Sequence, residues 1–257
     1  MLRSLRNLAR LAAIGLILAR HDALFAFAGV PVVALYLRVA RRLVRRRAPA
    51  ARPGQRLAAA LDEMGPSFIK LGQLMSTRAD LLGDELCADL ASLQDRLPPF
   101  PGAQARAIIE AEFGRPLETL FVSFDETAVA AASIAQVHFA RTPDGHDVAV
   151  KVLRPGVARA FARDLDLFFW LAGWIERLYP PSRRLKPVEI VETLAEVVRF
   201  EMDLRFEAAA GSELAENFAG DPGFRVPRID WQRTGHGVLT LERIVGIRID
   251  DRAALLA

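Results

Sequence analysis

The sequence predicts an α+β fold in which helices lead, a small antiparallel sheet follows and a long helix accompanies the sheet. Three observations carry this. Residues 56–97 read as helical, with Phe68, Leu71, Leu74 and Met75 recurring at three- and four-residue steps as a buried stripe, until Pro98 and Pro99 end the pattern. The period then changes. In "TAVAAASIAQVHFARTPDGHDVAVKVLRPG" (Thr127–Gly156), Val137 and Phe139 alternate, a Pro143-Asp144-Gly145 turn intervenes, and Val148, Val150 and Val152 alternate again, which is a hairpin signal. Helical spacing returns in "KPVEIVETLAEVVRFEMDLRFEAAAGSELAENFAG" (Lys186–Gly220), read as one helix that Pro187 opens and Gly220 with Asp221-Pro222 closes.

A chain of 257 residues makes one large domain or two small ones. A single cysteine, Cys87, excludes an internal disulfide and any multi-cysteine metal site, and four scattered His form no zinc pattern. His138 and His146 flank the hairpin and read as structural or solvated. The net charge of +3 hides an asymmetry: residues 1–56 hold twelve Arg and one acid, Asp22, and the remainder is net acidic.

Three divisions follow: residues 1–55 as a basic arm and linker, 56–125 as a helical extension, and 126–257 as the part that carries the sheet. Within the arm, "LARLAAIGLILAR" (Leu8–Arg20) is apolar between Arg residues, and "ALFAFAGVPVVALYL" (Ala23–Leu37) is uncharged but interrupted by Pro31. Seven Arg then fall between Arg38 and Arg52. About twenty apolar residues are needed to span a bilayer, and a secretory signal puts its charge before its apolar core. The reading favours an interfacial helix pair on anionic lipid; a true span and a solvated or protein-packed helix stay open. Nucleic acid is disfavoured, because no aromatic residues interleave with the Arg cluster to stack on bases. "RRRAPAARPGQ" (Arg45–Gln55) is the linker. "RAIIEAEFGRPLETLFVSFD" (Arg106–Asp125) gives a short helix stopped at Gly114 and a second amphipathic turn.

The spelling of the basic residues nominates a site. The chain has 31 Arg and 3 Lys. Lys is a compact point charge where Arg is a planar fork, so a sequence this biased keeps Lys where a fork does not serve. Lys70 stands in an apolar helix, three residues from Gln73 on the same face. Gly72 between them costs about 1 kcal/mol relative to Ala, which suits close approach by a backbone or a ligand; a snorkelling lysine beside a packing glycine is the plainer alternative. Lys151 stands mid-strand, sharing with Ala149 the face opposite the three Val residues. That pairing suits a flat ring over Ala149 and phosphates near the ammonium, against the commoner solvent-facing lysine. The loop before the hairpin is rich in Ala and lacks the Gly that phosphate-cradling loops use. On the long helix, Asp203 and Glu207 share a face and Glu201 projects about 120° away.

Taken in order, these pieces resemble the ABC1/ADCK/UbiB family of atypical protein-kinase-like proteins over residues 57–257. "KLGQ" (Lys70–Gln73) is similar to its KxGQ motif, "AAASIAQVH" (Ala130–His138) to its Ala-rich loop, "VAVKV" (Val148–Val152) to its nucleotide-lysine strand, "EMD" (Glu201–Asp203) to its ExD motif, and "LTLERIVG" (Leu239–Gly246) to its hinge. The resemblance implies a kinase-like N-lobe preceded by a helical KxGQ extension. Lys151 would pair with Glu207 and phosphate, while Lys70 and Gln73 with Glu201 and Asp203 would form a regulatory set. Ala130, Ala131, Ala132, Ser133, Ile134, Ala135, Gln136, Val137, Ala149, Glu242 and Ile244 would line the nucleotide. It implies ATP or ADP with Mg2+ in the full-length family, and an ATPase or small-molecule kinase supporting ubiquinone biosynthesis at the cytoplasmic side of the bacterial inner membrane. The implied partners are anionic lipid, quinone-biosynthesis proteins and isoprenoid intermediates. No flavin fingerprint or iron ligands support the older family label, 2-polyprenylphenol 6-hydroxylase.

The family continues past the hinge into a helical lobe with a His-x-Asp loop and magnesium ligands. Neither a His-x-Asp nor a later metal-binding aspartate occurs within these 257 residues. The expectation is therefore a stretch that lacks the C-lobe and does not turn over ATP by itself, as a fragment or a natural short form. A non-catalytic module that binds a membrane or a biosynthetic complex is the alternative.

Overall fold

The computed structural model describes residues 2–27, 51–93, 98–247 and 252–256. Most of the uncharged run Ala23–Leu37, the Arg38–Arg47 cluster and the first part of the linker lie outside those residues. The chain divides into two units: 1–97 with 132–134 and 156–198, and 98–131 with 135–155 and 199–257.

The first unit is helical. It contains α1 (Leu2–Arg20), α2 (Pro53–Met64), α3 (Pro66–Ser76), α4 (Ala79–Leu82), α5 (Asp84–Ala91), α8 (Val157–Leu178) and most of α9 (Pro187–Glu201). The helical reading holds over residues 56–91, but the segment is broken, and residues 94–97 lie outside the described ones. Gly65 at φ +103° ahead of Pro66 and Gly83 at φ +79° turn the chain where a side chain would be strained. The stripe is also shifted: Phe68 and Ile69 are buried, whereas Leu71, Leu74 and Met75 are only half-buried.

The core joins Ile14, Leu18 and Leu24 to Leu57, Met64, Phe68, Leu90 and Leu167, with Phe68 edge-on to Phe168 at 5.1 Å between ring centroids. So the apolar face of α1 packs on protein. Its Arg residues meet acids of the same unit: Arg3 and Arg6 reach Asp166, Arg10 reaches Asp164, and Arg20 pairs with Glu63. No helix among the described residues is long and apolar enough to cross a membrane.

The second unit holds a five-stranded antiparallel sheet. Strands β1 (Ser123–Phe124), β3 (Ala135–Arg141), β4 (Asp147–Leu153) and β5 (Val238–Glu242) run in the order β1-β3-β4-β5, and β2 (Ala130–Ala131) pairs with β3. The expected hairpin is β3–β4, with Val137 opposite Lys151 and Phe139 opposite Ala149. One face of the sheet, through Ala140, Val148, Val150, Val152 and Val238, closes on Ala105, Ile109, Leu117, Leu120 and Phe121. These come from α6 (Gly102–Phe113), α7 (Leu117–Leu120) and the residue after α7. Gly114 ends α6 in the left-handed region at φ +62°, the stop its sequence predicts.

The single helix expected over Lys186–Gly220 is two. α9 ends at Glu201 and α10 (Leu204–Asn217) begins after a break at Met202-Asp203. Asp203 leaves helical geometry and its carboxylate accepts from Arg205 N, an N-cap. The Leu204 N–H leaves the helix ladder and donates to the His236 carbonyl at 2.9 Å. α11 (Arg252–Leu255) closes the described chain.

Candidate functional site

Strand β4 builds the site by alternation. Val148, Val150 and Val152 are buried on the core face, which turns Ala149 and Lys151 to the other. On that second face Lys151 is flanked by Val137 and Leu239, and Ala149 by Phe139 and Leu241. The Lys151 ammonium donates to both carboxylate oxygens of Glu207, at 2.9 and 2.7 Å. The pair is open to water: the Lys151 side chain is 24% exposed and that of Glu207 51%.

The break before α10 fixes where Glu207 stands. The Asp203 cap and the Leu204–His236 hydrogen bond set the start of the helix, and burial of Leu204 and Ala208 sets its rotation. The turn that supplies the His236 carbonyl is itself held, because the Glu112 carboxylate accepts from the His236 and Gly237 amides at 2.5 and 3.2 Å. Glu112 thus positions the site indirectly, a role its place in an amphipathic helix does not signal.

Asp203 does more than cap. Arg205 donates to it through Nε at 2.8 Å and Nη2 at 2.6 Å. These side-chain hydrogen bonds, ahead of the backbone one, hold the Asp203 carboxyl below the usual carboxylate range. With α9 ending at Glu201, Glu201 and Glu207 lie on separate helices, so the angle expected between them on one continuous helix does not apply.

The Ala-rich segment is a hairpin more than a loop. Ala130 pairs with Val137 and Ala131 with Gln136, while Ala132, Ser133 and Ile134 form the connection to Ala135 at the start of β3. Gln136 faces the core side with its amide engaged: Oε1 accepts from Phe100 N at 2.8 Å and Nε2 donates to Phe100 O at 3.1 Å. Any contact from Gln136 to a ligand on the Lys151 face is therefore made by its backbone.

Gln136 Nε2 also lies 2.8 Å from His138 Nε2, and His138 Nδ1 lies 2.8 Å from the Asp125 carbonyl. The carbonyl requires an Nδ1–H donor, so Nε2 is the acceptor and the ring is neutral. Burial pushes the His138 pKa down, against the opposing pull of the Asp125 carbonyl and of the Asp125 and Glu126 charges. His138 is structural, as its sequence position suggests, and His146 is exposed.

At the end of β5, Glu242 N donates to the Arg228 carbonyl at 2.8 Å, and its carboxylate meets Arg225 and the Arg228 amide. The Arg228 backbone hydrogen bond, then Arg225, keep this carboxyl below its ordinary range. Ile244 is exposed at 61%. Arg243, which sequence reasoning passed over, stacks 3.7 Å above the Phe139 ring. An open cleft of about 500 Å3 lies at the turn end of the hairpin, lined in part by Asp144, Arg228, Trp231, Arg233 and Glu242.

Lys70 and Gln73 lie on α3 in the first unit, and Glu201, Asp203, Lys151 and Glu207 in the second. Gln73 Nε2 donates to the Leu93 carbonyl at 3.2 Å. The close approach at Gly72 comes from side chains: a Cβ there would collide with Leu93 and lie 2.8 Å from Leu61 Cδ1. The backbone-or-ligand explanation for Gly72 gives way to helix packing. Among the described residues no group of three or more His, Cys, Asp or Glu is placed to hold a metal ion.

Residues 92–257 match the family model for the ABC1 atypical kinase-like domain. Curated relatives named "Probable protein kinase UbiB" include one from Marinobacter nauticus, 48% identical over 202 residues, 79% of this chain and 37% of the relative. Another, from Aeromonas salmonicida, is 42% identical over 224 residues, 86% of this chain and 41% of the relative. The chain thus spans about two fifths of the length of these relatives. Among solved structures it is similar to the complex of Rv3197 with erythromycin from Mycobacterium tuberculosis, with a TM-score of 0.54 and 29% identity, covering 71% of this chain and 44% of that one.

Proposed function

The chain belongs to the ABC1 atypical kinase-like family, with an α+β fold of helices and a small antiparallel sheet, and on that premise we propose that the Lys151 face of the sheet binds ATP or ADP. The observation that carries the reading is the strand-to-helix ion pair between Lys151 and Glu207. Such a pair holds an ammonium where it meets nucleotide phosphates. The half-buried Val137 and Ala149 beside it offer an apolar floor for a base, and backbone groups of Glu242 and Ile244 its polar edge.

Magnesium would supply charge neutralisation at the phosphates; the residues described here offer it no ligand cluster, and its seat is assigned to none of them. The setting we infer is ubiquinone biosynthesis at the cytoplasmic side of the inner membrane, in keeping with the UbiB name of the relatives.

Titration of the chain with ATP and ADP tests the site. Charge-assisted hydrogen bonds are worth about 1.5–3 kcal/mol, so Lys151→Ala weakens nucleotide binding by roughly tenfold to a hundredfold. Folding stability moves by less than about 1 kcal/mol, because the ion pair is solvated. Equal affinity in wild type and Lys151→Ala overturns the proposal.

A further inference from the structure

The end of α8 and the chain after it carry a surface that the nucleotide site does not use. Trp174 and Leu178 stand one turn apart on α8, and Tyr179, the residue that caps the helix, donates its amide to the Ile175 carbonyl one turn back. All four are exposed, Leu178 at 70% and Tyr179 at 57%, and Leu185 joins them at 50%. Large apolar residues are here gathered at one tip, where a soluble surface scatters them singly.

The tip is held together. A 3-10 turn, Pro180–Leu185, folds back on the last turn of α8. Ser182 Oγ donates to the Tyr179 carbonyl at 2.7 Å and Arg183 Nε to the Glu176 carbonyl at 2.9 Å. Glu176 turns its carboxylate to the Val188 amide.

The charge is one-sided. Residues 171–186 hold Arg177, Arg183, Arg184 and Lys186 against the single acid Glu176. Lys186 is shared with Glu189 at 2.9 Å, which leaves three Arg around the apolar tip. Trp and Tyr at an apolar edge, ringed by Arg, is the composition that settles at the boundary between headgroups and acyl chains. A protein partner's apolar patch matches the aromatics but gives no use for the cations around them.

We propose that this tip docks on an anionic lipid bilayer, with Trp174, Leu178 and Tyr179 entering the interface and Arg177, Arg183 and Arg184 meeting lipid phosphates. It lies in the described part of the first unit, and the proposal stands independently of the nucleotide reading.

The test uses Trp174 as a local reporter, in the full chain carrying Trp170→Phe and Trp231→Phe. On vesicles of phosphatidylglycerol with phosphatidylcholine, Trp174 emission shifts to the blue and is quenched by brominated acyl chains; on pure phosphatidylcholine it does neither. Each basic residue at an anionic surface is worth about 1 kcal/mol, so Arg183→Gln with Arg184→Gln raises the vesicle concentration for the half-maximal shift by roughly thirtyfold. Leu178→Asp abolishes the shift while circular dichroism and the melting transition remain those of a folded chain. If the chain sediments with anionic vesicles while Trp174 stays as open to an aqueous quencher as without them, contact is made elsewhere and the proposal fails. It fails also if the chain ignores such vesicles, or if the paired Arg substitutions leave the midpoint unchanged.

Discussion

Two ion pairs of similar geometry carry opposite meanings because of where they sit. Lys151–Glu207 is half in water, and exposed pairs contribute about 0–1 kcal/mol; stability alone is a weak reason for its being there. Arg10–Asp164 is different. The Asp164 side chain is 2% exposed and accepts from Arg10 Nε at 2.9 Å and Nη2 at 3.1 Å, while Arg163 adds two more hydrogen bonds at 3.1 and 3.3 Å. Arg10 also donates to the Met64 carbonyl and lies over the Phe68 ring. Removing one member of a buried pair leaves a charge without compensation and costs about 3–5 kcal/mol. Asp164→Ala is therefore expected to lower the denaturation free energy of the chain by about 3 kcal/mol, read from urea unfolding of the chain and its variant. A loss below about 1 kcal/mol would place this pair with the solvated ones.

At the scale of elements, the break between α9 and α10 decides where the Glu207 side of the site stands. Asp203→Ala removes a cap worth about 1 kcal/mol and two hydrogen bonds that Arg205 makes to it. The expected outcome is a stability loss of about that size, together with weaker nucleotide binding through a displaced Glu207. Asp203→Asn, which keeps a capping oxygen, recovers most of the stability. Full stability in the Ala variant would mean that the Leu204–His236 hydrogen bond suffices to start α10.

The same break marks where sequence reading ran out. "EMDLRFE" contains no Gly or Pro, and the His236 carbonyl that takes the Leu204 amide arrives from far along the chain. The hairpin was legible because alternation, β-branched Val and a Pro-Asp-Gly turn agree. Lys151 stood out because its neighbours on β4 reveal which face it occupies. Sequence expectation stops at Gly156 and resumes at Lys186; the 22-residue α8 between them starts at Val157, after Gly156 as an N-cap without a side-chain hydrogen bond. The packing of α1 was open for a physical reason: a Leu and Arg pattern satisfies anionic lipid and the acids Asp164 and Asp166 equally well.

Across the molecule, these local arrangements combine into one pH dependence. Burial lowers the His138 pKa in the folded state. Between the folded and unfolded values, the unfolded chain binds the extra proton, so stability is full above about pH 6.5 and falls as the pH drops below it. Geometry agrees: protonation would set an Nε2–H against the Gln136 Nε2–H that now donates to it. Asp203 and Glu242 have lowered pKa values, so their contribution is present above about pH 4 and lost below. The two windows are separate. Between pH 7 and 5.5 the denaturation free energy should fall as the unfolded chain takes up the proton that buried His138 resists. In His138→Gln that slope should flatten, whatever the absolute stability, while the steeper loss below about pH 4 persists. Equal slopes from pH 7 to 5.5 in both proteins would show that His138 does not control this window, and that the ring tolerates its second proton between Gln136 and the Asp125 carbonyl.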